Sequence, residues 1–357
     1  MLLTGPIRLE RFGDIDLVDS FFGSLKEDYA EFGDWFARKR DKEAWILRAD
    51  GQVRAFLYLK EELGTLDDIE PSRPHARRLK AGTMKVDAHG TRLGERFLRL
   101  MFDEALDRRV EEIYVTVFPK HEGLIELLVR WGFELQGTKT TANGTENVYV
   151  KPMSPAARSL YRDYPFVNAT GRPKRLLSIL PEYHTRLFPD SKLNTESSDI
   201  ITDLSHTNSI FKVYISWSHE VRNWGRGDVV VIYRMKDRDR RPAGWYSSVA
   251  TSVCVVDKVK AGPDWESEER FIRRCASYSV FSEEELQGFW RKNRDRLTAI
   301  RMTYNFALPK RPNRKALAEE AGLDETMRWT AISLTDPQFS EILRLGQADE
   351  RLVVDKT

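Results

Sequence analysis

The chain has 357 residues, of which 41% are hydrophobic and 31% charged. That length corresponds to a little over two domains, with enough apolar residues for packed cores. Lys+Arg 57 against Asp+Glu 55 leaves a net charge of +2, which excludes a histone-like DNA wrapper and an acidic tail protein. The 9 Trp, 12 Tyr and 18 Phe exclude a disordered chain.

Cys254 and Cys275 are the only cysteines, too few for a disulfide framework or a cysteine zinc site. They read as ordinary thiols of a reducing cytoplasm. The N-terminal stretch turns polar after a few residues, unlike a signal peptide. No run of about 18 apolar residues suggests a membrane span. The expectation is a soluble, cytoplasmic, two-domain protein without a metal.

In chain order, residues 44–49 and 52–60 predict a β-hairpin closed by Asp50-Gly51, a pair suited to the positive φ angles of a tight turn. Residues 80–87 predict a strand. Residues 92–109 place Leu93, Phe97, Leu98, Met101, Phe102 and Ala105 on one face of a helix. Residues 112–118 are β-branched and aromatic, hence strand. Residues 122–131 predict a helix stopped by Gly132, and 133–135 with 146–150 a final hairpin.

The two prolines of Lys151-Pro152-Met153-Ser154-Pro155 predict a boundary. Residues 1–155 hold 24 basic and 27 acidic residues, leaving 33 and 28 for 156–357, so the two parts carry −3 and +5. Residues 154–204 are interrupted by Pro165, Pro173, Pro181 and Pro189 but keep apolar residues, predicting a connector packed on both domains. Beyond it, strands are predicted at 210–216, 227–235, 244–257 and 297–306. Short helices are predicted at 265–276, 282–290, 314–321 and 336–345, with Asn313 and Asp336 as N-caps and Pro337 in the first turn.

The stretch Val86-Asp87-Ala88-His89-Gly90-Thr91-Arg92-Leu93-Gly94-Glu95 carries a strand through a glycine turn into an amphipathic helix. Free N–H groups and the positive dipole end of a helix start attract anions, and glycines let a pyrophosphate approach the backbone. The stretch resembles the acyl-CoA-binding signature of GNAT N-acetyltransferases, Arg/Gln-x-x-Gly-x-Gly/Ala. His89 stands at the first position, Arg92 replaces the middle glycine and Gly94 matches the last. The following strand, His121, and Gly132-Phe133 continue the family's order over roughly residues 1–150.

The resemblance implies that Val86, Asp87, His89, Gly90, Thr91, Arg92, Leu93, Gly94 and Glu95 bind acetyl-CoA between two splayed strands, Thr83–Val86 and Tyr114–Phe118. It also implies a general base and a tyrosine acid. The family's tyrosine position falls on Leu128 and its asparagine on His121. Tyr114 is the substitute acid; the candidate bases are Glu61, Glu62, Asp87, His89, His121 and Glu122, and an imidazole such as His121 titrates near neutrality.

The pattern Gly225-Arg226-Gly227-Asp228-Val229-Val230-Val231-Ile232-Tyr233, with the return strand Gly244–Ala250, resembles PUA-like β-barrels of the ASCH and EVE type over roughly 205–345. The resemblance implies recognition of RNA or a modified base. Ser209, Lys212, Trp217, Arg222, Trp224, Arg301 and Tyr304 supply the cations and rings for it.

The resulting expectation is an α+β chain. A GNAT-like domain at 1–153, a mixed twisted sheet flanked by helices, transfers acetyl from acetyl-CoA to an amine. A PUA-like barrel at 205–350 selects an RNA or nucleotide-bearing target. Two alternatives stand beside it: a non-catalytic CoA-binding protein that regulates a protein partner, and an acetyltransferase of a protein or small amine.

Overall fold

A computed structural model describes residues 7–87, 93–156, 159–189, 209–236 and 244–354. Contacts divide the chain into two compact units meeting in sequence at Ser154 and Pro155. Among the described residues no helix is long and apolar enough to cross a membrane.

In the first unit the order is β1 (Ile7–Arg11), α1 (Gly23–Asp28), α2 (Phe32–Arg38), β2 (Glu43–Ala49), β3 (Gln52–Leu66), β4 (Arg73–Val86), α3 (Leu93–Asp107), β5 (Glu112–Val117), α4 (Glu122–Arg130), β6 (Glu134–Thr141) and β7 (Gly144–Pro152). The seven strands form one sheet in the order β1-β2-β3-β4-β5-β7-β6. Only β4 and β5 run parallel, since α3 supplies the crossover that a parallel pair needs. The predicted hairpin forms, with Asp50 and Gly51 both at positive φ.

Side chains alternate between the two faces of the sheet. On one face Ala44, Ile46, Phe56 and Tyr58 pack with Phe12, Phe22, Phe32 and Phe36 under α1 and α2. The opposite face carries Lys151, whose ammonium donates to the Trp131 carbonyl beyond α4 and lies 5.2 Å from the Phe102 ring of α3.

The turn between β3 and β4 crosses the α1–α2 face. Leu66 and Ile69 pack there against Tyr114, Val148 and Val150. Glu70 then exchanges both backbone hydrogen bonds with Thr138 of β6, each 2.8 Å.

The second unit runs β8 (Val167–Asn168), β9 (Lys174–Ile179), α5 (Pro181–Leu187), β10 (Phe211–Ser216), β11 (Val229–Arg234), α6 (Gly244–Ser247), β12 (Val249–Ala261), α7 (Glu268–Cys275), α8 (Glu283–Asn293), β13 (Thr298–Ala307), α9 (Arg314–Glu319), β14 (Ala331–Leu334), α10 (Asp336–Leu345) and β15 (Val353–Val354). Six strands form a sheet in the order β10-β13-β12-β11-β9-β14. Its core holds Leu177, Ile179, Phe188, Val230, Ile232, Ile300 and Met302.

Four expectations are corrected here. Among the described residues no sheet closes into a barrel, because β10 and β14 are opposite edges and β14 pairs only with β9. Residues 174–179, expected within a connector, form β9 and pair in parallel with β11; Pro173 and Pro181 flank this strand rather than interrupt it. The strand expected from 244 starts at Val249, after the helical turn Gly244–Ser247. Asn313 caps α9 as predicted, whereas Thr335 rather than Asp336 caps α10, in a reciprocal box with Gln338.

Candidate active site

β4 and β5 pair only over Arg78–Ala81 and Glu112–Val115. Beyond Ala81, β4 continues to Val86 paired with β3 alone, and Thr116 and Val117 of β5 pair with β7 alone. The parting has a local cause. Tyr58 pairs with Thr83 and Leu59 with Ala81, so Gly82 is an extra residue in β4. Such a bulge bends and twists its strand. Glycine is suited to the position, because a Cβ there would come 2.9 Å from the Tyr58 ring. Among the described residues the two parallel strands thus open at one end into a cleft whose walls do not pair with each other. β4 leads toward the start of α3, a 15-residue helix.

Of the expected cofactor residues, Val86 ends β4 opposite Ala55, and the Asp87 amide donates to the Arg54 carbonyl. His89, Gly90, Thr91 and Arg92 lie outside the described residues. Leu93 is buried, and buried Glu95 lies 3.8 Å from Arg130, so at these positions the backbone rather than the side chain is what an anion could meet. A Cβ on Gly94 would fall 2.9 Å from Leu127 of α4. This glycine therefore lets the two helices approach closely.

The candidate acid and bases are mostly engaged elsewhere. Tyr114 lies on the α1–α2 face of β5 and its hydroxyl donates to Glu62. Burial and that carboxylate push its phenol well above the usual range, so it stays protonated. Glu62 also accepts from Lys60 at 2.8 Å. Burial works against its ionisation, but these two hydrogen bonds outweigh it and hold the carboxyl below the usual glutamate value. Glu61 accepts from Arg77 at 2.6 Å and lines a groove of about 430 Å³ with Lys39, Trp45 and Arg108. Leu128, at the expected tyrosine position, is fully buried.

His121 precedes α4 without a side-chain capping bond; its Nε2 lies 2.9 Å from Asp28 Oδ2. Asp28 also receives Lys120. Burial opposes the ionisation of Asp28, while Lys120 and His121 outweigh it and hold its carboxyl low. Glu122 is exposed in the first turn of α4.

Sequence reasoning missed the groups that lie over the open end of β5. Glu146 of β7 shares the face of Val148, which pairs with Thr116, and is only 5% exposed. It accepts a 2.6 Å hydrogen bond from Tyr29, in the loop between α1 and α2. The Tyr29 ring packs on Phe118 at 5.3 Å. Asn143, in the β6–β7 turn, donates to both Glu31 oxygens at 2.9 and 2.8 Å and accepts from the Ala30 amide at 3.3 Å. Only register and a loop more than 110 residues away in the chain bring these groups together.

In the second unit, four expected nucleic-acid contacts lie in the interior. Ser209 and Lys212 are fully buried, and Trp224 and Tyr304 belong to the core. This removes them from any surface where a base could stack. Ser209 donates to the Phe211 carbonyl, and the Lys212 ammonium lies 5.9 and 5.7 Å from the Phe188 and Tyr304 rings. Trp217 is half-buried edge-on to Phe289, Arg222 donates to the Asp295 carbonyl, and Arg301 donates to Asp257. These three remain partly accessible.

Beside this unit's sheet, α5 carries a wholly buried histidine. His184 Nε2 lies 2.8 Å from Thr251 Oγ1, and its Nδ1 has no partner. Burial, with Arg234 and Arg311 nearby, lowers its pKa to about 3, so the ring is neutral at pH 7. Among the described residues no group of side chains is arranged to hold a metal ion.

No family model and no curated protein matches the chain. Solved structures of two kinds are similar to it, each over about half its length. ASCH from Zymomonas mobilis is 12% identical with a TM-score of 0.33, covering 48% of this chain and 94% of that one. A GNAT family acetyltransferase from Streptococcus agalactiae is 11% identical with a TM-score of 0.30, covering 43% and 98%. Another, from Elizabethkingia anophelis with acetyl-CoA bound, is 10% identical with a TM-score of 0.30, covering 41% and 97%. Likenesses this distant leave the function to be read from the site itself.

Proposed function

We propose that the first unit, residues 1–153, transfers an acyl group from acetyl-CoA or a related thioester to an amine. The observation that carries this reading is the parting of β4 and β5 beyond Ala81 and Val115, driven by the Gly82 bulge and leading to the start of α3. The residues present suit such a donor. The cleft walls do not pair with each other, and the first turn of α3 offers N–H groups and a positive dipole end to phosphates. The thioester supplies an activated acyl carbon; the protein supplies orientation and proton acceptance.

In the same proposal the second unit selects the target, an RNA or a nucleotide-bearing ligand, through Trp217, Arg222 and Arg301. A second reading, a CoA-binding regulator of a protein partner without turnover, is favoured by one observation. Leu128 is core, and Tyr114 is committed to Glu62, so neither offers a phenol to a departing thiolate.

Isothermal titration with acetyl-CoA and CoA tests the proposal, with Gly94→Ala and Gly94→Glu beside the natural chain. Gly94→Ala carries only the Cβ that meets Leu127 and reports the packing cost. Saturable binding that survives in Gly94→Ala and is lost in Gly94→Glu supports a donor site at the start of α3. No binding by the natural chain rejects both readings. Binding without transfer to any amine or RNA offered selects the regulator.

A further inference from the structure

Among the described residues Glu146 is a buried carboxylate without a cation. Its one hydrogen bond comes from the neutral hydroxyl of Tyr29, and among the described residues no lysine, arginine or histidine pairs with it. Burial of an unpaired carboxylate is costly, and a cationic ligand would offset that cost.

The neighbouring cations are drawn elsewhere. Lys139 stands directly opposite Glu146 in the β6–β7 register, the position from which a cross-strand ion pair would form, yet its ammonium goes to Asp68. Lys85 donates to the Phe21 carbonyl and the Ser24 hydroxyl. Lys120 goes to Asp28. Asp68 belongs to the turn that crosses this face of the sheet, so the same strap that covers the face also holds Lys139 off Glu146.

Place adds to charge. Glu146 stands one residue beyond Asn147, the partner of Val117, on the part of β5 that β4 has already left. Tyr29 fixes one carboxylate oxygen.

We propose that Glu146 receives the ammonium group of the acyl acceptor and takes its proton, with Tyr29 as the positioning residue that orients the carboxylate. The acceptor is thus a primary amine that arrives as a cation. The chemistry rests on the acyl-transfer reading above; the ammonium site does not. In the step, one proton passes from the ammonium to Glu146. The freed nitrogen forms a C–N bond to the acyl carbon as the C–S bond of the donor thioester breaks. The second nitrogen proton ends on the departing sulfur as the free thiol, and Glu146 returns its proton to solvent.

The experiment uses the full chain and n-butylammonium chloride as the amine probe, against sodium chloride at the same ionic strength. Thermal unfolding is followed for the natural chain, Glu146→Gln and Asp68→Asn, and each is titrated with CoA. Glu146→Gln keeps an acceptor for Tyr29 and removes the charge. Asp68→Asn releases Lys139 to neutralise Glu146. The natural chain is expected to gain roughly 2–4 °C from the probe over salt. Both variants are expected to gain nothing, to unfold no earlier than the natural chain, and to keep CoA affinity within about twofold.

A shift shared equally by the natural chain and the variants, or absent from all three, overturns the proposal. Should Glu146→Gln fail to fold, a probe response retained in Asp68→Asn overturns it. A Glu146-dependent shift in a chain that does not bind CoA keeps the ammonium site and rejects acyl transfer.

Discussion

Arg78 and Glu112 face each other as the first register pair of β4 and β5, and the guanidinium, 1% exposed, donates to the carboxylate and to the carbonyls of Gly64 and Pro74. Arg73 adds a second cation to Glu112 at 2.7 Å. The pair anchors the closed end of the cleft, three residues before the strands part. Removing Arg78 leaves Glu112 with Arg73 alone and takes the donor from both carbonyls, a loss of about 1–3 kcal/mol. Arg78→Met is therefore expected to lower the urea midpoint strongly at an unchanged slope.

Acid should act on the same pair. Burial opposes the ionisation of Glu112, but hydrogen bonds from Arg73 and Arg78 outweigh it and hold its carboxyl below the ordinary 4.5. Its contribution is thus complete above pH 4.5 and is lost as pH falls through the lower folded value. Glu112→Gln should be less stable than the natural chain at neutral pH, with the gap closing as pH drops below 4.5. Urea midpoints from pH 7 to 3 check this; a constant gap contradicts it.

Gly82→Val places a side chain where even a Cβ lies 2.9 Å from the Tyr58 ring. Overpacking of this kind costs about 1–3 kcal/mol. If the bulge opens the cleft, CoA affinity should fall by more than tenfold. A variant with natural CoA affinity would show that the parting of the strands does not depend on the bulge.

Tyr114→Phe separates the acid expected from sequence from the place the tyrosine occupies. The hydroxyl serves Glu62, so its loss should cost about 1 kcal/mol of stability. Transfer to an amine should change by less than about threefold. A loss of 10²-fold or more, the scale of general acid catalysis, would return Tyr114 to the reaction.

His184 predicts acid sensitivity of a second kind. The folded ring titrates at about 3 against 6.5 for the free residue. Between these values the unfolded chain holds the extra proton, so stability falls as pH drops from 6.5 toward 3, by about 1.4 kcal/mol per unit. Above 6.5 the contribution is complete. His184→Gln should flatten this dependence, read from urea midpoints of the second unit at pH 7, 6 and 5.

The amphipathic run ending at Ala105, the β-branched run at 112–117 and Gly132, with φ of 91°, were legible because each signals through local period or turn chemistry. The helices α1 and α2 have six and seven residues, too short to show a helical period, and residues 1–43 yielded no prediction. Prolines on either side of β9 hid a central strand. In the cleft, only the family resemblance implies the two diverging strands, Thr83–Val86 and Tyr114–Phe118, and the bulge at Gly82 is visible only in the pairing register. Glu146 lay in a polar Thr-Glu-Asn stretch whose partner is Tyr29. No linear pattern joins residues that far apart, and none distinguishes a surface arginine from the buried Lys212.

The double hydrogen bond between Glu70 and Thr138 also occupies the outer rim of β6, the last strand of its sheet. An uncovered rim would invite strand addition from another molecule, the first step of edge-to-edge aggregation. The cover depends on Gly137, since a Cβ there would sit 2.6 Å from the Glu70 carbonyl oxygen. One missing methyl group thus helps keep the sheet from recruiting its own copies, through the same strap that crosses the α1–α2 face.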